Sequence, residues 1–455
     1  MSVAESVTKE GLQGRYKPYP AYKNSEVEWL GEIPEHWEVK RLKFLAAEPI
    51  KNGIGEAGAY DDPDWPRYVR ITDIAGPRTL REDTFKSLPP ELAHEAPFKT
   101  GDLLLAAVGA TYGKSYLHLQ DCGSVCFAGY MVRFSPNDEL LPDYAAYWSE
   151  SSAYWALVQS RVVQATIQNF SAAKYKELSM PLPGIAEQHA IATFLDRETA
   201  RIDALVAKKQ RLIELLQEQR TALITRAVTK GLDPTARMKE SGVEWLGEIP
   251  AHWEIRPFTK YVKERADYRG KTPTKVTSGI FLVTARNIRM GWIDYECSQE
   301  FVAEDEYDEI MRRGLPRIDD ILFTTEAPLG NMALVDREDI ALAQRVIRFR
   351  VRPDIFNSRF TLNAMMSGYF QAQLKTLSTG STAEGLKASK LPMLWLVAPP
   401  VLEQQTIAEA IQRETEKVKM LIESISSAIS RLEELRAALI SAAVTGKIDV
   451  REEVV

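Results

Sequence analysis

The chain contains itself twice. EWLGEIPEHWEVK at 28–40 returns as EWLGEIPAHWEIR at 244–256, so Glu244 stands 216 positions after Glu28. EQHAIATFLDRET at 187–199 returns as EQQTIAEAIQRET at 403–415, and RTALITRAVTKGLD at 220–233 returns as RAALISAAVTGKID at 436–449, with the same offset of 216. Chance can supply one short match, but not several long ones in register. A period this long is not a solenoid unit and marks a duplicated domain pair. The likeness is uneven: the flanks are nearly identical in places, whereas 41–180 and 257–396 share few residues. A frame kept twice around two diverged inserts implies one mechanical role and two different recognition surfaces.

A chain of 455 residues exceeds one ordinary core. The repeat divides it into an N-terminal segment 1–27, a first domain 28–186, a central helix 187–233, a second domain 234–402, and a C-terminal helix and tail 403–455. Residues 187–228 predict one long helix, with Pro181 and Pro183 before it and Gly231 and Pro234 after it. Residues 403–444 predict the second, between Pro399, Pro400 and Gly446. In the second helix Ile411, Val418, Ile425, Leu432 and Leu439 recur every seven residues, and Leu421, Ala428 and Leu435 follow the middle members by three. That spacing predicts an a/d seam. In the first helix the same reading puts Leu195, Ile202, Lys209, Leu216 and Leu223 at a, with Leu205 and Leu212 at d. Lys209 and Gln219 interrupt the seam.

About 40 helical residues make a rod of roughly 60 Å. Two rods with apolar stripes pack most simply on each other, antiparallel. The expected fold class is α+β: two mixed α/β target-recognition domains joined by two long antiparallel coiled-coil helices in a pseudo-twofold internal repeat. Within the inserts, strands are expected at 67–74, 102–108 and 126–134, and at 279–288, 320–325 and 342–351. Helices are expected at 142–160 and 358–376, their aromatic residues belonging to the core.

Charge narrows the function. A formal net charge of −6 disfavours a protein that coats DNA generically, so any nucleic-acid contact must be local. Residues 256–290 hold nine Lys/Arg against two acidic residues, and an acidic stretch from Asp294 to Glu309 follows. Apolar runs such as 103–107 are far too short to span a bilayer, the first residues have no apolar signal core, and Cys122, Cys126 and Cys297 match no disulfide framework or common zinc spacing. A reducing cytoplasm is the expected location, with no metal site.

Polar loops between the expected strands carry chemistry suited to base edges and phosphates. The first domain offers Arg67, Arg70, Thr72, Thr111, Tyr112, Lys114, Gln164, Gln168, Asn169, Ser171 and Lys174. The second offers Lys271, Lys275, Arg286, Asn287, Arg289, Asn331, Gln344, Arg345, Thr379, Ser381, Thr382 and Lys387. Arginine and lysine suit guanine O6/N7, and asparagine and glutamine suit adenine N6/N7. Lys114, Lys174, Lys271 and Lys275 are expected on phosphates. Each of these residues is individually commonplace on a surface, so the case rests on the set.

Several motifs fail on context. Gly53-Ile-Gly-Glu-Ala-Gly58 is preceded by no hydrophobic strand and opens no helix, as a dinucleotide fingerprint must. Gly109-Ala-Thr-Tyr-Gly-Lys-Ser115 is one residue short of a phosphate-binding loop and runs into an alternating, strand-like stretch. His36 and His252 repeat inside the frame beside Trp37 and Trp253, as packing or capping groups. No nucleophile–base set stands out. The residues by themselves leave open a DNA reader, a coiled-coil adaptor that binds only proteins, and a self-contained DNA enzyme.

Taken together, the paired EWLGEIPxHWE segments, the Ile71–Ile74 stretch of TxDI type, GATYGK at 109–114, QNFSAAKYKELSMPLPGIAEQ at 168–188 and the helices ending AVTKGLD and AVTGKID resemble the specificity subunit of a type I restriction–modification system. The resemblance spans nearly the whole chain. The second insert departs from it, with TARNI, APLGN and TAEGLKASKLPML in place of the corresponding motifs. The resemblance implies a non-catalytic subunit whose two domains each read half of a bipartite double-stranded DNA target. It also implies that the helices set the spacing and dock two modification subunits, with restriction subunits joining the larger assembly. Those partners would bring S-adenosylmethionine and ATP with Mg, and this chain no cofactor.

Overall fold

The computed structural model describes residues 15–119, 125–161, 169–243, 246–268, 272–343, 345–378 and 385–453. They form two compact units, one of residues up to 210 together with 426–455, the other of residues 211–425. Both long helices contribute to both units. They run Ile185–Lys230 and Val401–Val444, within two residues of the sequence expectation at each end. Gly231 and Gly446 stop them with left-handed backbones, φ +75° and +70°, as helix-terminating glycines do.

The first unit is built on a four-stranded antiparallel sheet in the order 51–52, 131–134, 103–106, 115–117. Beside it the strand Arg67–Val69 pairs in parallel with Val125–Phe127, and Glu38–Arg41 pairs antiparallel with Ser179–Leu182. The second unit repeats the plan. Its four-stranded sheet runs 262–267, 346–351, 321–325, 329–334. Ile280–Val283 lies parallel to Ile340–Leu342, and Glu254–Pro257 pairs with Trp395–Ala398. The diverged inserts therefore share a fold, because the runs that build the central strands, buried on both faces, survived where the loops did not.

Four expected strands were too long. The stretches 67–74 and 279–288 stop as strands at Val69 and Val283 and continue as turns. The stretches 126–134 and 342–351 each break into two strands. In each pair the backbone leaves the parallel pairing to enter the antiparallel sheet. The helical stretches also break, at Ser151 and Ser367, into Pro142–Glu150 and Ser152–Ser160, and into Ser358–Met366 and Gly368–Leu377. Their aromatics are core, since Tyr144, Tyr147, Trp148, Tyr154 and Phe370 are all buried.

The repeated flanks close each unit. In the first, Glu187 at the start of the long helix takes the Trp37 indole N–H on Oε1 at 3.1 Å and meets His36 Nε2 through Oε2 at 2.8 Å. In the second, Glu403 Oε2 meets His252 Nε2 at 2.7 Å. The following glutamines act alike. Gln188 accepts from the Leu141 amide and donates to the Glu139 and Pro183 carbonyls. Gln404 accepts from the Asn357 amide and donates to the Ile355 and Pro399 carbonyls. The Glu-Gln pair that begins each helix thus pins the helix to the His-Trp segment and to the helical hairpin. This explains why both motifs returned intact, and it gives the two histidines structural partners.

Within each unit the two long helices run antiparallel. In the first, Phe194 and Leu195 share a core with Leu439, Ile440 and Val444, and Asp203 meets Arg436 at 3.1 Å. In the second, Ile224 and Val228 share a core with Ile407 and Ile411.

The seam expected from sequence needs a correction. Leu195, Ile202, Leu216, Ile411, Ile425 and Leu439 are buried, and Leu223, Val418, Leu432 and Leu435 half-buried. Leu205, Leu212 and Leu421, however, are 43%, 44% and 46% exposed. In the first helix Ile213 is buried and Val206 half-buried, one position beyond each exposed leucine. The inner residues there follow the expected a positions by four, not three. Leucine spacing alone could not separate the two rotations, because 205 and 206, like 212 and 213, are both apolar, and 219 and 220 are both polar.

Candidate nucleic-acid interface

Beside the sheet of each unit lies a braced turn. In the first unit Asp73, buried, accepts from the Arg70 amide at 2.7 Å and holds the Arg70 guanidinium through both oxygens at 2.8 and 3.1 Å. Arg70 also donates to the Thr84 carbonyl. In the second unit Asn287, buried, takes the place of Asp73. Its Oδ1 accepts from the Thr284 amide at 2.9 Å and the Thr284 hydroxyl at 2.8 Å, and its Nδ2 donates to the Asp294 and Ser298 carbonyls, both at 2.9 Å. Arg70–Asp73 and Thr284–Asn287 are one device in two chemistries. Each satisfies the backbone where a strand gives way to a turn. The residue before the brace, Thr72 or Arg286, is exposed; the Thr72 hydroxyl donates back to Asp73 Oδ1 at 3.4 Å, whereas the Arg286 side chain has no such tie among the described residues.

A second group of loops meets where the sheet strands end. In the first unit Ala107 donates to the Tyr130 carbonyl and accepts from the Phe170 amide. This gathers the 109–114, 128–131 and 169–174 segments. In the second, Thr325 donates to the Arg345 carbonyl and accepts from the Leu386 amide, which gathers 326–331, 345–346 and 385–390. The two groups adjoin. The Leu117 amide donates to the Pro77 carbonyl, and Asn331 Nδ2 donates to the Ile288 carbonyl at 2.8 Å. Matching these bonds equates Gly113 with Gly330, both of positive φ and both close to the second helix of the hairpin, at Trp155 and Gln371. Lys114 then corresponds to Asn331, Tyr130 to Arg345, and Lys174 to Lys390.

The refused motifs have structural reasons. A Cβ on Gly53 would lie 2.1 Å from the Phe127 carbonyl oxygen, so this glycine serves close strand approach. Gly109–Thr111 forms a single 3₁₀ turn that leads to the strand Ser115–Leu117, where a phosphate-binding loop would enter a helix.

The sequence candidates separate clearly. Thr111, Tyr112, Lys114, Asn169, Ser171 and Lys174 come together in the first unit. Asn331, Arg345 and Lys387 come together in the second, with Arg286 and Arg289 beside them. Several spend their polar groups internally. Arg67 is held by Glu82 and the Arg81 carbonyl, Arg70 by Asp73, and Lys174 by the Asn169 carbonyl. Asn287 has every amide group engaged and nothing left for a base edge. Arg289 pairs with Asp294, Arg345 with Glu326 and Lys275 with Glu300; Lys275 stands apart from the loop cluster. Among the described residues, the side chains of Lys114, Arg286 and Lys387 are exposed and have no partner. Gln164, Gln168, Lys271, Gln344, Thr379, Ser381, Thr382 and Cys122 lie outside the described residues.

Sequence reasoning missed Tyr130, 66% exposed at the loop junction, and Trp292, 55% exposed at the tip of the second braced turn. Only the pairing of their carbonyl or amide with a neighbouring loop reveals their position: the Trp292 carbonyl accepts from the Arg289 amide. No cluster of metal-ligating residues occurs among the described residues.

Comparison with known proteins decides the family. Residues 34–215 and 287–429 match the model of the type I restriction modification DNA specificity domain. The chain belongs to this family. Curated relatives include the type I restriction enzyme MjaVIII specificity subunit of Methanocaldococcus jannaschii, 23% identical over 92% of this chain and 94% of that protein. The EcoKI specificity subunit of Escherichia coli is 22% identical over 92% and 90%. A solved structure described as showing complex assembly and conformational transition of the type I R-M system shares the fold, with a TM-score of 0.67 and 13% identity over 90% of this chain and 98% of that one. As a type I specificity protein, the chain is a DNA-reading component and not a catalyst. No helix among the described residues is long and apolar enough to cross a membrane.

Proposed function

We propose that each unit reads one half of a bipartite DNA target through its loop cluster and braced turn, and that the two long helices set the distance between the halves. The observation that carries this reading is that the two units keep their sheets, hairpins and buried braces while differing at the exposed positions those braces support. Equal frames with unlike exposed residues are what two half-sites of different sequence require, because phosphate contacts position a reader and only base-edge contacts distinguish sequences.

The helices are also the natural dock for modification subunits, which would supply S-adenosylmethionine for adenine N6 methylation, while restriction subunits would supply ATP- and Mg-dependent steps. This chain would hold none of these cofactors and would act in the cytoplasm beside the DNA. Modularity supplies the test. Exchanging residues 41–180 for the corresponding insert of another such protein, in cells that also express the modification subunits, should change one half of the methylated motif and leave the other. A change in both halves would refute the modular reading. Adding four residues, about one turn, to one long helix should lengthen the preferred spacer, and an unchanged spacer would count against the helices as a ruler.

A further inference from the structure

Three observations single out one side chain of the second unit. The first is rigidity. The Arg286 amide donates to the Thr284 hydroxyl at 3.3 Å, its carbonyl accepts from Cys297 Sγ at 3.2 Å, and the next residue is the buried Asn287 brace. The backbone that carries Arg286 is therefore fixed on both sides. The second is freedom of the side chain. Arg289 and Arg345 nearby are neutralised by Asp294 and Glu326, whereas the exposed Arg286 guanidinium has no partner among the described residues. A free cation on a fixed backbone beside a paired arginine is poorly explained by fold stability alone.

The third observation comes from the internal repeat. In the first unit the arginine of the turn is Arg70, which holds the brace, and the outward position is Thr72. In the second unit the brace is Thr284 with Asn287, and the arginine stands at the outward position instead. The adjoining strand changes in the opposite sense. Lys114 is an exposed, unpartnered cation, whereas its counterpart Asn331 is neutral and tied to the Ile288 carbonyl. Each unit thus keeps a free cation at the junction of turn and strand. It sits just before the strand Ser115–Leu117 in the first unit and on the turn in the second.

We propose that Arg286 is a specificity determinant that reads a guanine in the second half-site, its guanidinium fork donating to O6 and N7, and that Thr72 holds the corresponding outward position in the first unit. This rests on the reading of both units as DNA recognition domains. A planar fork on an immobilised backbone suits a bidentate base contact, in which geometry matters, more than a phosphate contact, in which a flexible lysine serves as well.

The test uses the full chain expressed with its modification subunits, with methylated adenines mapped by sequencing the host genome. Exchange of residues 41–180 identifies which half-site belongs to which unit. Arg286→Ala should relax one G·C position of the second half-site, with discrimination there falling about ten- to a hundredfold, and leave the first half-site as it was. Arg286→Lys keeps the charge but loses the fork, and should relax the same position. Unchanged amide protection across 280–298 in both variants would show that the turn is intact, and loss of protection there would assign Arg286 to the fold and overturn the proposal. So would an unchanged motif in Arg286→Ala, which marks a phosphate contact, while full specificity in Arg286→Lys beside a relaxed Arg286→Ala would overturn the guanidinium fork as the reading group. Absence of any bipartite motif with the unaltered chain would refute the underlying DNA-reading function instead, so the two failures are distinguishable.

Discussion

Replacing Asn287 with alanine would remove four hydrogen bonds from inside one turn. The Thr284 amide would lose its acceptor and the Ser298 carbonyl its donor, while the Asp294 carbonyl would keep only Cys297 Sγ at 3.4 Å. A buried polar group left without a partner costs roughly 1–3 kcal/mol. Thr284, Asp294 and Ser298 are all half-buried, so water can recover part of that loss and the lower part of the range applies to each group. The turn should then lose about 2–3 kcal/mol, or roughly thirty- to a hundredfold in its opening constant, since each ~1.4 kcal/mol is tenfold. The chain has two units and a single unfolding transition is not assured, so hydrogen exchange across 280–298 is the suitable assay.

Asn287→Asp adds a pH signature. It would place a carboxylate against the Asp294 and Ser298 carbonyls, and burial would raise its pKa above the unfolded value of about 3.9. Between those two pKa values the folded state holds more protons than the unfolded state, so stability falls as pH rises. Protection corrected for intrinsic exchange should therefore be lowest near neutrality and recover on acidification. Adding Thr284→Arg to Asn287→Asp rebuilds the Arg70–Asp73 pair and should recover part of the loss. Protection of Asn287→Ala within threefold of the unaltered chain would refute the brace.

Other outcomes follow from the packing. Ile213→Ala and Ile425→Ala, at buried helix positions, should each cost about 2–4 kcal/mol in urea unfolding, whereas Leu205→Ser, Leu212→Ser and Leu421→Ser should cost under about 1 kcal/mol; equal losses would restore the original seam. Arg436 bridges Glu150 and Asp203, and burial holds the Glu150 carboxyl above the usual carboxylate range even with Arg436 opposing it. Arg436→Met should cost about 3 kcal/mol at neutral pH. That cost should shrink as pH falls through the raised Glu150 pKa, because protonation removes the stranded charge; a melting-temperature difference constant from pH 5 to 8 would contradict this. Gly446→Ala should destabilise more than Gly231→Ala in thermal melts. Both have positive φ, but a Cβ at 446 would lie 2.3 Å from Pro34 Cδ, whereas at 231 its nearest neighbour is the Trp253 ring at 3.3 Å.

The sequence by itself determined the duplication, the two long helices nearly to the residue, their glycine stops, and the family to which the repeated motifs point. These features are legible because they are local or periodic. A helix end is set by a few neighbouring residues, and a repeat is visible without any contact. The tertiary structure decided which side of the first helix faces inward, where leucine spacing permitted two rotations and burial selected Ile213 over Leu212. It also decided what Asn287 and Arg286 do. Adjacent, polar and similar on paper, they part company because one side chain is enclosed by the Asp294 and Ser298 carbonyls while the other projects from the turn those bonds hold. Such a division depends on partners distant in sequence or on the opposite wall of a turn, and no pattern along the chain encodes it.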